Sequence, residues 1–145
     1  MTPRRLVRSE NCRCSELVRQ AVARGIVVEA VPGPSAVLTA LVVSALPPHP
    51  FTFAGFPPPK SGKRRRFFER FANFGHTVIF FESPHRLVPS LEDALSVFGD
   101  RPAAVLRELT KLHEEALRGH LGELIDQLRD KKPRGEYVVV IGGGS

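Results

Sequence analysis

Residues 76–87 read H-T-V-I-F-F-E-S-P-H-R-L, and the reading of this stretch decides the fold. His76 to Phe81 is an apolar run rich in β-branched and aromatic residues, which predicts a buried strand. It stops abruptly in a carboxylate (Glu82), a hydroxyl (Ser83), an imidazole (His85) and a guanidinium (Arg86). Ser83 as N-cap and Pro84 at the first helical position form a helix start signal. Leu87, Val88, Leu91, Leu95 and Phe98 then recur at helical spacing until Gly99. Strand followed by helix is the unit of an α/β fold, where ligands sit at the carboxyl ends of strands. Capping accounts for Ser83 and Pro84. It does not account for His85 and Arg86, which point to a site.

The rest of the chain alternates in the same way. Residues 1–14 carry four arginines without periodicity and read as an unstructured or aberrant leader. A helix starts at Ser15 with Leu17, Val18, Ala21 and Val22, and Gly25 stops it. Ile26–Val31 reads as a short strand. V-P-G-P-S-A (31–36) leads into Ala36–Leu46, apolar nearly all round and so expected as a buried helix. Phe51–Phe56 is strand-like, and Lys63–Asn73 is a basic helix with Phe67, Phe68 and Phe71 on one face. Pro89 sits awkwardly in the helix after Arg86, and Ser90-x-x-Asp93 resembles a capping box, which predicts a kink or restart near residue 90. Strands follow at Pro102–Leu109, Glu114–Arg118 and Gly135–Ile141. Between the last two, Leu121, Leu124, Ile125 and Leu128 mark a helix. The expected fold is an α/β, αβα sandwich around a mostly central mixed sheet.

Composition sets the outer limits. With 145 residues, 42% hydrophobic and 25% charged, the chain suits one ordinary core. Its longest apolar run, Ala36–Leu46, is too short to span a bilayer, and no basic, signal-like leader precedes it, so a cytoplasmic location without membrane contact is expected. The formal charge of +6 favours anionic partners such as nucleic acid. Cys12 and Cys14 lack the second ligand pair of a zinc site, and a disulfide across one residue would be strained, so neither metal nor disulfide is expected. Walker loops and nucleophile elbows are missing.

Four segments remain that carry chemistry. P-K-S-G-K-R-R-R packs Lys60, Lys63, Arg64, Arg65 and Arg66 into seven residues, the clustering that phosphate-binding surfaces need. R-E-L-T-K-L-H-E-E (107–115) ends a strand in charges. Glu108 and Lys111 there are compatible with a proton-handling pair, a lysine tuned toward working pH by a partly dry site, but the residues alone favour a surface ion pair. His113 and His120 flank it and read as structural. V-P-G-P-S (31–35) offers a helix N-terminus to a polar ligand. P-R-G-E-Y-V-V-V (133–140) is a loop glycine feeding a core strand.

Taken together and in this order, V-P-G-P-S-A, F-x-G-F-x-P-x-K, F-F-E-S-P-H-R-L, R-E-L-T-K-L-H-E-E and P-R-G-E-Y-V-V-V resemble the ribosomal RNA small subunit methyltransferase I family of the tetrapyrrole methylase superfamily. The resemblance runs from about Glu16 to Ile141. It implies S-adenosylmethionine-dependent methylation of a cytidine ribose 2′-hydroxyl in small-subunit (16S) ribosomal RNA, by a homodimer of two-domain subunits with the cofactor between the domains. It places Ser35, Ala36, Phe81, Leu109, Thr110, Gly135 and Glu136 toward the cofactor. The basic run Lys60, Lys63, Arg64, Arg65 and Arg66, with His85, Arg86 and Lys111, would face RNA of the small ribosomal subunit, and Glu108 with Lys111 would help remove a proton. Two other readings are a stand-alone RNA-binding module and a methylase of small tetrapyrroles.

The family pattern also includes an N-terminal domain with glycine-rich and D-A-G-T-P…S-D-P-G type loops, which this sequence lacks. The expected layout is therefore a leader (1–14), a remnant of the N-terminal domain with a linking helix (15–46) and the C-terminal methylase domain (47–145). With one cleft wall absent, weak cofactor affinity and little activity of this chain alone are expected.

Overall fold

The computed structural model describes residues 13–144. The chain divides into two compact units, Met1–Gly33 and Pro34–Ser145.

Within the second unit, a sheet of five strands is formed by β1 (Phe51–Gly55), β2 (Thr77–Glu82), β3 (Pro102–Arg107), β4 (Glu115–His120) and β5 (Tyr137–Ile141). Their order is β1-β2-β5-β3-β4. β1 runs parallel to β2, whereas β5 is antiparallel to both β2 and β3, and β4 is antiparallel to β3. One end of the sheet therefore gathers the carboxyl ends of β1, β2 and β3 and the amino ends of β4 and β5. Y-V-V-V-I of β5 is buried throughout, as a central strand covered on both faces must be.

Helices cover the two faces unequally. On one face, α3 (Ser61–Glu69), α4 (Leu87–Phe98) and α5 (Leu121–Arg129) enclose a core that includes Phe68, Phe80, Leu91, Leu124 and Val139. Each such side chain, fully buried, stabilises the fold by about 1.5–3 kcal/mol. On the other face, α2 (Ala36–Ser44) packs on Ile79, Ala104, Leu106, Val138 and Val140. Strand alternation sends Val78 and Phe80 to the first core and Ile79 to the second. This is the expected αβα sandwich with a mixed sheet.

Four local expectations are corrected. The helix α2 is not buried all round: Ala40, Leu41 and Ser44 are covered, while Leu38 and Val42 are exposed, because it lies alone on its face and only one side meets the sheet. The helix read from the sequence as a linking helix packs on β5, β3 and β4 of the second unit. The helix α3 runs Ser61–Glu69, starting before the expected Lys63 and ending before the expected Asn73, so Phe71 lies in the turn that follows it. No break occurs near residue 90: a 3-10 turn, Pro84–Arg86, leads into α4, which runs unbroken to Phe98. Pro89 is the third residue of that helix, in the first turn, where backbone N–H groups have no partner inside the helix. Ser90 and Asp93 form no capping box, since Ser90 Oγ donates to Glu82 and Asp93 accepts from Ser61 and Arg64.

The first unit contains α1 (Arg13–Ala23), which begins ahead of the expected Ser15, and Gly25 follows it at φ +70°. Ile26–Val31 is not a strand. Extended backbone becomes a strand only with a ladder partner, and among the described residues it has none. Its Ile26, Val27, Val28 and Val31 are exposed, as are Leu17, Val18 and Val22 of α1. Residues 1–12 of the expected leader (1–14), Cys12 among them, lie outside the described residues, while its last two, Arg13 and Cys14, are helical, as the first residues of α1. Among the described residues no helix is long and apolar enough to cross a membrane, and no cluster of His, Cys, Asp and Glu is arranged to hold a metal.

Candidate functional site

Loops from four places meet at the end of the sheet where β1, β2 and β3 finish. They enclose part of a cleft of about 410 Å3, walled by Phe56, Phe81, Ser83 and Pro84 on one side and Gly135 to Val138 on the other, with Ala36 of α2 at its margin. A cleft at strand carboxyl ends is where an α/β sheet offers backbone groups that strand pairing has not used.

The turn after β2 is held from below. Glu82 is buried, and its carboxylate accepts from Ser83 N (2.7 Å), Arg86 Nε (3.0 Å) and Ser90 Oγ (2.7 Å). Ser83 occupies the N-cap position, but its side chain caps nothing; its Oγ accepts from Arg86 Nε at 3.0 Å. A buried carboxylate with this many donors is a fixed anchor, since leaving any of them unpaired would be costly. Arg86, expected to face RNA, thus turns its Nε inward. His85 is exposed.

A second set of contacts ties the β3–β4 loop to the entry of β5. Glu108 and Thr110 are left-handed, at φ +49° and +64°, and Gly135 lies at φ +85°. Glu108 N donates to Glu136 O, and Glu136 N donates to Glu108 Oε1 at 2.8 Å. Lys111 Nζ reaches Glu108 Oε1 at 3.3 Å and Glu136 Oε2 at 2.9 Å. The positive φ of residue 135 favours glycine, and a Cβ there would come within 2.5 Å of Glu108 Oε1 and push that carboxylate from its place. The bond from Glu136 N, then Lys111, holds the Glu108 carboxyl below its ordinary value. The carboxylates of Glu136 and Glu108 raise the Lys111 ammonium. That direction corrects the reading of a lysine tuned toward working pH: the site is open to solvent and opposite charges flank the ammonium, so the charged form is favoured.

The basic run splits. Lys60, Lys63, Arg65 and Arg66 are exposed around the start of α3. Arg64 is 3% exposed, and its Nε and a terminal nitrogen meet Asp93 Oδ2 at 2.8 and 2.7 Å, with Pro59 O at 3.1 Å. Ser61 Oγ donates to the other Asp93 oxygen at 2.8 Å, and Arg65 approaches it at 3.8 Å. Arg64 is therefore withdrawn from the RNA-facing set. It pins the basic segment to α4, because a guanidinium can leave water only where its donors are matched.

Of the residues expected at a cofactor, Ala36, Phe81, Gly135 and Glu136 line the cleft. Ser35 instead caps α2, accepting from Leu38 N at 3.5 Å. Leu109 packs against the α2-side core, and Thr110 N donates to Glu114 Oε2 at 2.6 Å. Sequence reading missed Phe56, Tyr137 and Val138 as cleft walls, and Asp93 as an anchor. The doubled aromatic in F-x-G-F was a usable signal for Phe56; Asp93 gave none, since its partners lie 29 and 32 positions away.

The family model described as Tetrapyrrole (Corrin/Porphyrin) Methylases matches residues 13–125. The chain is 43% identical over 127 residues to a protein of Thermotoga maritima, and 41% identical over 128 residues to one of Streptococcus pyogenes serotype M3, both named ribosomal RNA small subunit methyltransferase I. Each match covers 88% of this chain but only 57% and 45% of the relative, so the chain spans about half the length of these relatives. Among solved structures, a cobalt precorrin-4 methyltransferase superposes with TM-score 0.60 at 19% identity, over 90% of this chain and 58% of that one. A uroporphyrin-III C-methyl transferase of Thermus thermophilus, complexed with S-adenyl homocysteine, gives 0.58 at 20%, over 94% and 61%. These likenesses concern the fold. With the family model matching residues 13–125, most of the chain, the chain belongs to the tetrapyrrole (corrin/porphyrin) methylase family.

Proposed function

We propose that this chain forms part of an S-adenosylmethionine-dependent methyltransferase acting on small-subunit ribosomal RNA, at the ribose 2′-hydroxyl of a cytidine. The observation that carries the proposal is the meeting, in one unit, of a cleft at the sheet end with an exposed basic helix start reached through the loop after β1. The relatives named as ribosomal RNA methyltransferases support the same reading.

The residues present fit one side of such a cofactor. Ala36, Phe81 and Val138 offer apolar walls, Gly135 contributes backbone to the lining, and about 410 Å3 is room for a nucleoside-sized group. When bound, S-adenosylmethionine supplies an electrophilic methyl group. Ser35, Leu109, Thr110 and Glu136 belong to the same proposed binding set, the first three acting by shaping the loops. Lys60, Lys63, Arg65 and Arg66 attract phosphates, and His85 and the outer edge of Arg86 belong to the same proposed RNA-binding set. Lys111, held protonated, orients the reacting hydroxyl, and Glu108 fixes Lys111 and the Gly135–Glu136 turn. A homodimer working in the cytoplasm completes the proposal.

The test pairs two titrations of the chain: small-subunit RNA at two salt concentrations, and S-adenosylmethionine by calorimetry. RNA binding that weakens steeply with salt, beside weaker cofactor binding, is the expected result. Cofactor binding without RNA binding would overturn the RNA reading in favour of a small-molecule methylase. RNA binding with no cofactor binding even when RNA is present would leave an RNA-binding module instead.

A further inference from the structure

The aromatic groups at the cleft mouth have a use that the proposed chemistry does not require. Phe56, the residue after β1, is 67% exposed, yet its ring stands at 5.3 Å and 61° from that of Phe81. Phe53 meets Phe81 from the other side at 4.9 Å and is itself 44% exposed. The helix α2 packs mainly on β5, β3 and β4, and among the described residues of this unit Phe53 and Phe56 remain largely uncovered. A large ring held edge-on by a half-buried neighbour, with most of its own surface in water, is unfavourable as core packing. It is well placed to receive a flat partner.

Charge complementarity identifies that partner. The same loop runs from Phe56 through Pro57, Pro58 and Pro59 to Lys60, and then to the exposed Lys63, Arg65 and Arg66. Four residues of chain span at most about 14 Å, so a ring face and a set of phosphate-binding cations lie within a short reach of each other. The three prolines restrict that loop, and Arg64 bonds to Pro59 O at 3.1 Å and clamps its far end to Asp93. Aromatic faces beside a basic track are how single-stranded nucleic acid is held, because every base has a π-face and every nucleotide a phosphate.

Resting on the RNA reading above, we propose that Phe56 is a stacking platform for an unpaired base of the RNA, set at the cleft mouth so that the adjoining nucleotide enters the cleft. It selects for single-stranded over duplex RNA. A stacked base contributes no phosphate contact, so the ring and the basic run affect different observables.

The experiment measures binding of a short single-stranded RNA and of a stable hairpin stem to the full 145-residue chain, unsubstituted and with Phe56→Ala or Phe56→Trp, over a range of salt. Phe56→Ala is expected to weaken single-strand binding roughly five- to 150-fold, with little change on the stem. The slope of log affinity against log salt should stay unchanged, because no phosphate contact is lost. Phe56→Trp should restore affinity, and thermal unfolding should be the same for all three. Equal single-strand binding by Phe56→Ala would overturn the inference. So would a shallower salt slope, which would mean that Phe56 only holds the basic loop in place. Loss of S-adenosylhomocysteine binding with RNA binding intact would also overturn it, assigning the ring to the cofactor's adenine. If the unsubstituted chain binds no RNA in a salt-dependent manner, the underlying RNA reading fails and takes this inference with it.

Discussion

Lys111 shows why a residue's neighbours, and not its type, decide its chemistry. A lysine near a carboxylate at a strand end is compatible with a base tuned to neutrality. Here it stands between Glu108 and Glu136 at the protein surface, and both partners favour the charged form. Because Glu108 is held below its ordinary 4.5, its contribution to stability is complete above that value and disappears as pH falls through the lower folded value. Lys111 is held above 10.5, so its contribution is complete below that value and disappears as pH rises through the higher folded one. The urea midpoint difference between the unsubstituted chain and a Glu108→Gln, Lys111→Met variant should be small, since both groups are solvent-screened, and flat from about pH 5 to 10, shrinking beyond either end. A step near neutral pH would instead mark a lysine tuned for proton transfer. Neither the left-handed backbone of Glu108 and Thr110 nor its match to Gly135 is visible in R-E-L-T-K; both arise from packing one loop against another.

At the scale of elements, the start of α3 illustrates how a charge run divides its labour. Four cations of the run are exposed and the fifth, Arg64, is buried against Asp93 of α4. Periodicity explains the division: the buried face of α3 carries Phe68, and Arg64 precedes it by four positions on that same face. Arg64→Met should therefore destabilise the fold by about 3 kcal/mol, the lower end for a broken buried pair because Ser61 and Arg65 still reach Asp93. Lys63→Met should leave stability within about 0.5 kcal/mol and reduce the salt slope of RNA binding by about 1. Chemical unfolding and salt-dependent RNA titration of both variants check this. The opposite pattern would mean that Arg64 contacts RNA.

For the molecule as a whole, the informative contrast lies between its two compact units, each considered by itself. The unit Pro34–Ser145 contains both hydrophobic cores, whereas Ile26–Val31 shows bulky apolar side chains to solvent on backbone with no ladder partner. Exposed, unpaired backbone opens at little free-energy cost, and core strands open only with global unfolding. Brief digestion with thermolysin, which cuts before bulky apolar residues, should cleave first within residues 26–31. The remaining C-terminal fragment should keep its cooperative unfolding transition. Early cuts within β2 or β5 would contradict this placement of the cores.

What the sequence by itself determined is the alternation of strands and helices, the αβα layering and the gathering of polar motifs at strand ends. Hydrophobic period, glycine, proline and capping residues are local signals, and F-F-E-S-P-H-R-L carries several of them within eight positions. Tertiary structure alone decided that Ile26–Val31 forms no strand and that α2 leaves Leu38 and Val42 bare. It alone buried Arg64 with Asp93, turned Arg86 inward to Glu82 and made Phe56 a wall of the cleft. The physical reason is the same in each case. A ladder partner, a covered face or a matched buried charge comes from residues distant in the chain, and a local pattern contains no information about which of them will arrive.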